Sequence, residues 1–426
     1  MLVRNINWPE ERPAILEHIR LVHGANDSEL LSKWYGTMPG FDPADCFVID
    51  GEQGEIASHV MLIPRMIQFG DSVLQAAEIG VVGTLETYQK RGYATTLMEH
   101  AIQRMSQRGD ALSILFGIPN FYEQWEYEYA VGLYLTSYES SIATELALKA
   151  GVWDFSQSHM RRMAGQLGIR NREITVRPFD YNDLPAVMDL YFQSSIAGHS
   201  IMARDEQSWL WQIHYMTEIG RHGHDNFLVA EHDNSILAYM RMVTNEPVNW
   251  FRADANPFSI IEFAGTDPDA TGALLAEAAV FARDYGMEQV GLYVHPQSTL
   301  MTHALAHGAS QRNFTGAGFL RLNNLSLMLE GMVGTFQRRL DSSPFAGQAI
   351  QLQVSNEQMT ASINLGHSAS PEPIEISAPT SDLIRLFSGW FGLANLPSGS
   401  YAPKFEDVLK ALFPKGDPKV AIADLI

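Results

Sequence analysis

Between residues 77 and 105 the spacing of apolar positions changes from that of a strand to that of a helix. Ile79, Val81 and Val82 are residues a strand favours, and Gly83, Thr84 and Leu85 lead out into a turn. Beyond it Ala94, Leu97, Met98, Ala101, Ile102 and Met105 recur at three- and four-residue spacing, one face of a helix, with Gly109 as its C-cap. Before this stretch the pattern predicts a helix within residues 8–20, a second over 29–35 with Asp27 and Ser28 offering caps, and a hairpin of 47–49 with 58–65 about the turn 50–54. A buried strand follows over 111–118, then a polar linker from about 143 to 172.

The order then repeats. Residues 174–178 read as a strand, 183–193 as an amphipathic helix, and 226–230 and 236–243 as strands about the Asp233-Asn234 turn. Residues 259–264, 269–285 and 290–294 reproduce strand, turn, helix and strand, a duplication of fold with little shared sequence. The remainder carries a helical stretch at 326–339, strand-like runs at 349–354 and 359–364, and helical stretches at 380–391 and 406–412.

The turn Gln89-Lys90-Arg91-Gly92-Tyr93-Ala94 is where this pattern acquires chemistry. The first N–H groups of a helix lack intrahelical partners and the helix dipole favours negative charge there, so the turn is a ready anion site. Gly92 lets a phosphate approach the backbone, and Lys90 and Arg91 add positive charge. It is neither a GxxxxGK[ST] loop nor a GxGxxG fingerprint, and it reads as a pyrophosphate cradle. The equivalent turn of the repeat, residues 265–272, carries Asp267 and Asp269 and no Arg or Lys, so it should repel the same group.

Length allows roughly two to four domains, each with its own core. A formal charge of −20 argues against nucleic acid, which needs a basic footprint, and suits a cationic partner. The lone cysteine, Cys46, excludes an intramolecular disulfide and disfavours a cysteine metal site; no metal is expected. The N-terminus lacks the basic patch and apolar run of a signal peptide, and no stretch is apolar for long enough to span a bilayer, so a cytoplasmic protein without membrane contact is the expectation.

The Gln-x-x-Gly-x-Ala turn between that strand and that helix resembles the acetyl-CoA loop of the GNAT superfamily of N-acetyltransferases. Tyr122, two residues, an aromatic, one residue and Tyr127 then resemble the Y-x-x-F-G-Y segment of the enhanced-intracellular-survival (Eis) family, with Trp125-Glu126 in place of Phe-Gly. His295-Pro296-Gln297 and Phe319-Leu320-Arg321-Leu322-Asn323-Asn324 resemble further Eis segments. The resemblance implies a mixed α/β (α+β) chain: a GNAT domain at 1–150, a degenerate one at 151–335, and a sterol-carrier-protein-like domain at 336–426 whose tail docks into the active site. It also implies a homo-oligomer, a hexamer in the family.

For function the resemblance implies acetyl transfer from acetyl-CoA, a co-substrate, to a primary amine of a cationic acceptor, aminoglycoside-like, polyamine-like or a lysine. Val82, Gly83 and Thr84, with Gly117 and Ile118, would line the acetyl and pantetheine part, and Gln89, Lys90, Arg91, Gly92, Tyr93, Ala94 and Thr95 the pyrophosphate. Tyr122 would be the general acid. The base stays open between the C-terminal carboxylate of Ile426, Glu78 and water. Asp27 and Glu29 could bind an acceptor cation, though capping by Asp27 is simpler. His100 reads as a surface residue, and His214, His222 and His224 match no zinc spacing. Two rival functions are a dedicated protein lysine acetyltransferase and a non-catalytic acyl-CoA or lipid sensor.

Overall fold

A computed structural model describes residues 2–118, 120–132, 135–139, 174–196, 198, 200–218, 226–243, 259–284, 289–306, 309–312, 318–366, 373–420 and 424. In chain order the elements are β1 (Arg4–Asn5), α1 (Arg12–His23), α2 (Ala25–Trp34), β2 (Cys46–Asp50), β3 (Ile56–Phe69), β4 (Ser72–Thr84), α3 (Tyr93–Arg108), β5 (Leu112–Phe116) and β6 (Glu128–Val131). There follow β7 (Leu135–Glu139), β8 (Thr175–Pro178), α4 (Leu184–Ile196), β9 (Met202–Ala203), α5 (Glu206–Glu218), β10 (Phe227–His232), β11 (Ser235–Val243), β12 (Ser259–Gly265), α6 (Pro268–Asp284), β13 (Gln289–Leu292), α7 (Thr299–Ala306) and β14 (Ser310–Arg312). The last are β15 (Gly318–Leu322), α8 (Leu325–Gly331), α9 (Val333–Asp341), β16 (Ile350–Ser355), β17 (Thr360–Leu365), β18 (Pro373–Ser377), α10 (Thr380–Ser388) and α11 (Glu406–Leu412).

These elements build three sheets. The first runs β1-β2-β3-β4-β5-β15-β6 with β9 on β3, the second β14-β7-β13-β12-β11-β10-β8, and the third β17-β16-β18. The chain divides into two compact units, one holding the first and third sheets and the other the second. The first two sheets share a plan. Antiparallel strands lead to a single parallel pairing, β4 with β5 and β12 with β13, each closed over by one helix. In each, a strand distant in sequence lies between the fifth strand and the edge: β15 sits between β5 and β6, and β7 between β13 and β14. The mixed α/β fold and its repetition are as expected from the sequence.

Local chemistry explains the boundaries, including those that differ from expectation. Helix α2 begins at Ala25, directly after the Gly24 that ends α1 at φ 108, so Asp27 and Ser28 lie in its first turn and do not cap it. The Ser28 hydroxyl instead donates to the Leu16 carbonyl at 2.9 Å. Strand β3 continues past Arg65 to Phe69 and returns through Gly70, at φ 62, into a β4 that starts at Ser72. The predicted 326–339 helix is two, broken at Met332. The linker from 143 to 172 lies outside the described residues.

The core that positions the site lies under α3. Leu97, Met98, Ala101 and Met105, the predicted face, are fully buried against Val60, Leu62, Ala77 and Ile79. The Gly109 N–H closes the helix on the Met105 and Ser106 carbonyls with Gly109 at φ 82, a left-handed conformation glycine adopts at little cost.

Candidate active site

The parallel pairing of β4 and β5 ends at Ile79 and Leu115, while β4 runs on to Thr84. The two strands therefore part, and among the described residues no strand pairs with the last residues of β4 on this edge. In the same place β4 carries a bulge: Gly80 lies opposite Met61 and Gly83 opposite His59, so one extra residue is fitted into β4. Val81 takes φ 54, a left-handed conformation that costs a β-branched residue on the order of 1–3 kcal/mol. Hydrogen bonds hold the bulge. His59 Nδ1 bonds the Val81 carbonyl at 3.0 Å, Ser58 Oγ donates to the Gly83 carbonyl at 2.9 Å, and Ser58 Oγ and Thr84 Oγ1 are 2.7 Å apart.

The cradle turn follows. A 3₁₀ turn over Glu86–Tyr88 leads to Lys90 at φ 62 and Gly92 at φ 82, and α3 starts at Tyr93. Gly92 is the N-cap and offers no side chain, so the first-turn N–H groups of Tyr93, Ala94 and Thr95 have no intrahelical acceptor. Gln89, Lys90, Arg91 and Gly92 are exposed. The Arg91 guanidinium is set by Glu52 at 3.1 Å and lies 5.1 Å above the Tyr88 ring. Tyr88 is anchored in turn by the Glu52 N–H at 2.8 Å. Uncapped N–H donors with Lys90 and the Glu52-paired Arg91 beside them suit an anion.

The second sheet's equivalent differs in the way that matters. Asp267 Oδ1 accepts the N–H groups of Asp269 and Ala270, each at 3.0 Å, so a carboxylate occupies the α6 N-terminus where the first copy leaves it open.

Tyr122 lies where β4 and β5 part. Its ring packs against Gly117 so closely that a Cβ there would sit 2.3 Å from a ring carbon, which explains the glycine. Phe121, Trp125, Tyr127 and Phe319 surround the ring. Only 8% of Tyr122 is exposed, and its hydroxyl has no hydrogen-bond partner among the described residues. Burial pushes its pKa up to about 12. We expect Gly117→Ala to displace this ring and cost about 1–3 kcal/mol, read by thermal unfolding. At the Trp125-Glu126 pair Glu126 takes φ 63, and Arg321 fixes it by donating to the Trp125 carbonyl at 2.8 Å and pairing with the Glu126 carboxylate at 3.1 Å.

The other residues singled out by sequence are placed as follows. Val82, Gly83 and Thr84 lie on the open end of β4, and Gly117 and Ile118 at the end of β5, with Ile118 65% exposed. Glu78 is buried one turn of pleat before the bulge and is paired with Arg65 at 2.7 Å, which leaves its carboxylate neutralised. Ile426 lies outside the described residues, as do His222 and His224; Val420 and Asp424 of the tail are buried, and Tyr191 donates to Asp424 at 3.3 Å. His100 is exposed and edges onto Phe47 at 4.7 Å; His214 is exposed, as is Glu29. Among the described residues no group of three or more His, Cys, Asp or Glu could hold a metal ion, and no helix is long and apolar enough to cross a membrane. A groove of about 600 Å³ is lined by Thr37, Asp205, Glu206 and Trp211 and includes none of the cleft residues.

Sequence reasoning missed two buried imidazoles, His59 on β3 and His18 on α1. His59 is fully buried beside Tyr35, and His18 is 3% exposed, its Nδ1 bonded to the Ile56 carbonyl at 2.9 Å. A histidine inside the apolar run Ala57-Ser58-His59-Val60-Met61 was the available signal. Burial lowers both pKa values, that of His59 to about 3. The unfolded chain therefore binds more protons than the folded one below about pH 6.5, so stability falls as pH drops from there toward about 3. Thermal unfolding followed from about pH 8 to about pH 4 should show that loss setting in below about 6.5.

The fold that these elements define is the GNAT acetyltransferase fold. The family model of the acetyltransferase (GNAT) domain matches residues 3–130, the segment that holds the cleft. The whole chain is similar to the GCN5-related N-acetyltransferase of Anabaena variabilis, at 14% identity over 99% of each chain with a TM-score of 0.66. It is similar to that of Kribbella flavida, at 15% identity over 99% of this chain and 98% of the other, also at 0.66. Eis1 of Mycobacterium abscessus matches over 99% of each chain at 15% identity and a TM-score of 0.60. At such identities the likeness is one of fold. No curated protein matches the sequence.

Proposed function

We propose that the chain is an N-acetyltransferase that moves the acetyl group of acetyl-CoA to a primary amine of a cationic acceptor, an aminoglycoside-like or polyamine-like molecule or a lysine. The observation that carries this is the convergence, within residues 79–122, of an open-edged bulged strand, an uncapped cationic helix N-terminus and a protonated phenol. The cradle would take the pyrophosphate and the β4 edge the pantetheine arm, placing the thioester at the mouth beside Tyr122. The amine nitrogen then attacks the thioester carbonyl. The Val82 N–H would stabilise the oxyanion, and collapse would expel the thiolate, which takes the Tyr122 proton. Held reactants supply much of the rate.

The base needs a carboxylate or water within reach of the ammonium. The Arg65 pairing weakens the case for Glu78, which favours the Ile426 carboxylate or water. Net charge of −20 would draw a cationic acceptor toward the surface. The Asp267 cap on α6 supports one CoA site per chain. We infer a cytoplasmic homo-oligomer, a hexamer by resemblance, and a sterol-carrier-like role for the third sheet; light scattering tests the first.

A panel of amines read by CoA release tests the reading, run on intact protein and on protein lacking Leu425 and Ile426. Truncation should cut turnover far more than acetyl-CoA affinity. Binding of acetyl-CoA with no CoA release from any amine would replace this reading with a non-catalytic sensor.

A further inference from the structure

His59 lies at mid-strand in β3, fully buried, and the proposed acyl transfer makes no direct use of it. Its two ring nitrogens have different partners. Nδ1 is 3.0 Å from the Val81 carbonyl oxygen and Nε2 is 2.9 Å from the Tyr35 hydroxyl. A carbonyl oxygen only accepts, so Nδ1 carries the proton and donates. Nε2 is then a lone pair, and the Tyr35 hydroxyl donates to it. Tyr35 cannot turn away easily, because it is fully buried and its ring packs against Trp8 at 5.6 Å and Phe41 at 5.8 Å. The chain Tyr35 to His59 to Val81 therefore has one polarity and one tautomer.

The far end of that chain is the strained residue. Val81 is the left-handed, β-branched residue of the β4 bulge, directly before Val82. Nothing in its side chain favours φ 54, so the conformation persists only where surrounding bonds impose it. We infer that His59 is a positioning residue for acyl transfer: by donating to the Val81 carbonyl, with Tyr35 fixing its tautomer, it holds the bulge that aims the Val82 N–H at the acyl carbonyl. Without that bond Val81 relaxes toward extended backbone, the one-residue offset against β3 is lost, and the N–H at 82 turns away from the cleft. The pyrophosphate cradle, which is built by the next turn and helix, does not depend on the bond. The inference rests on the proposed function of the cleft.

That separation gives the test. Calorimetry measures the affinities of CoA and acetyl-CoA for the full chain and for His59→Leu, His59→Asn and Tyr35→Phe. The ratio of CoA to acetyl-CoA dissociation constants reads the acyl contact, while CoA alone reads the cradle and the integrity of the fold. His59→Leu should lower that ratio about tenfold, as expected for one lost hydrogen bond to the acyl group. CoA affinity should stay within about twofold. His59→Asn places an amide N–H where Nδ1 was and should restore most of the ratio, which a merely space-filling role would not do. Tyr35→Phe should shift it in the same direction as His59→Leu by a smaller factor. An unchanged ratio in His59→Leu with CoA binding intact overturns the inference. If that variant does not fold, an unchanged ratio in Tyr35→Phe overturns it instead. Wild-type protein that binds neither CoA nor acetyl-CoA removes the functional reading itself, whereas wild-type binding with an indifferent His59 removes only this inference.

Discussion

Arg91→Glu combined with Gly92→Asp should weaken acetyl-CoA binding about a hundredfold or more while the fold stays intact. On the proposed function, the cradle's attraction comes from uncapped N–H groups at the start of α3, the dipole of that helix, and the side chains of Lys90 and Arg91. The double substitution reverses one charge and puts a carboxylate where the pyrophosphate would lie, as Asp267 does in the second copy. Asp is among the few residues that accept the left-handed backbone Gly92 adopts at φ 82, so the turn itself need not rebuild. Both positions are exposed, and the melting temperature should move little. Calorimetry with acetyl-CoA, paired with thermal unfolding, checks both halves. Unaltered affinity would mean that the anion site is elsewhere.

Tyr122→Phe should lower turnover about a hundredfold at saturating substrate and leave acetyl-CoA affinity nearly unchanged. The change removes one hydroxyl that has no protein partner among the described residues, so little packing is lost. On the proposed mechanism, what is lost is the proton for the departing thiolate. Burial pushes the Tyr122 pKa up to about 12, so the phenol keeps its proton through the neutral and alkaline range. The sign follows: a raised phenol pKa preserves the acid as pH rises, and wild-type turnover should show no alkaline loss near 10, where an ordinary tyrosine ionises. Undiminished turnover in Tyr122→Phe, measured by CoA release with the best amine of the panel, would remove Tyr122 as the acid.

Much of this site was legible because it is local. Strand, turn and helix occupy consecutive residues, and the apolar repeat from Ala94 to Met105 marks the face of α3 that is buried. The two strand-helix-strand repeats were legible for the same reason. What the sequence hid is non-local or carried by a single side chain. Nothing in Gly318-Phe319-Leu320-Arg321-Leu322 says that it pairs between β5 and β6, some two hundred residues earlier, because strand pairing leaves no trace in spacing. The start of α2 at Ala25 was hidden because Ser28 bonds a neighbouring helix and does not act as a cap. The left-handed Glu126 was hidden because its support comes from Arg321, far along the chain. The strained Val81 was hidden because a β-branched residue in a strand predicts extended backbone, and the bonds that hold its bulge come from Ser58 and His59 on the neighbouring strand.

Titration of the wild-type chain with acetyl-CoA, followed by calorimetry, tests the central claim most directly. Binding at one molecule per chain, abolished by Arg91→Glu with Gly92→Asp, is the result predicted by a single open cradle and a second copy closed by Asp267. Absence of binding, or two molecules per chain, would contradict it.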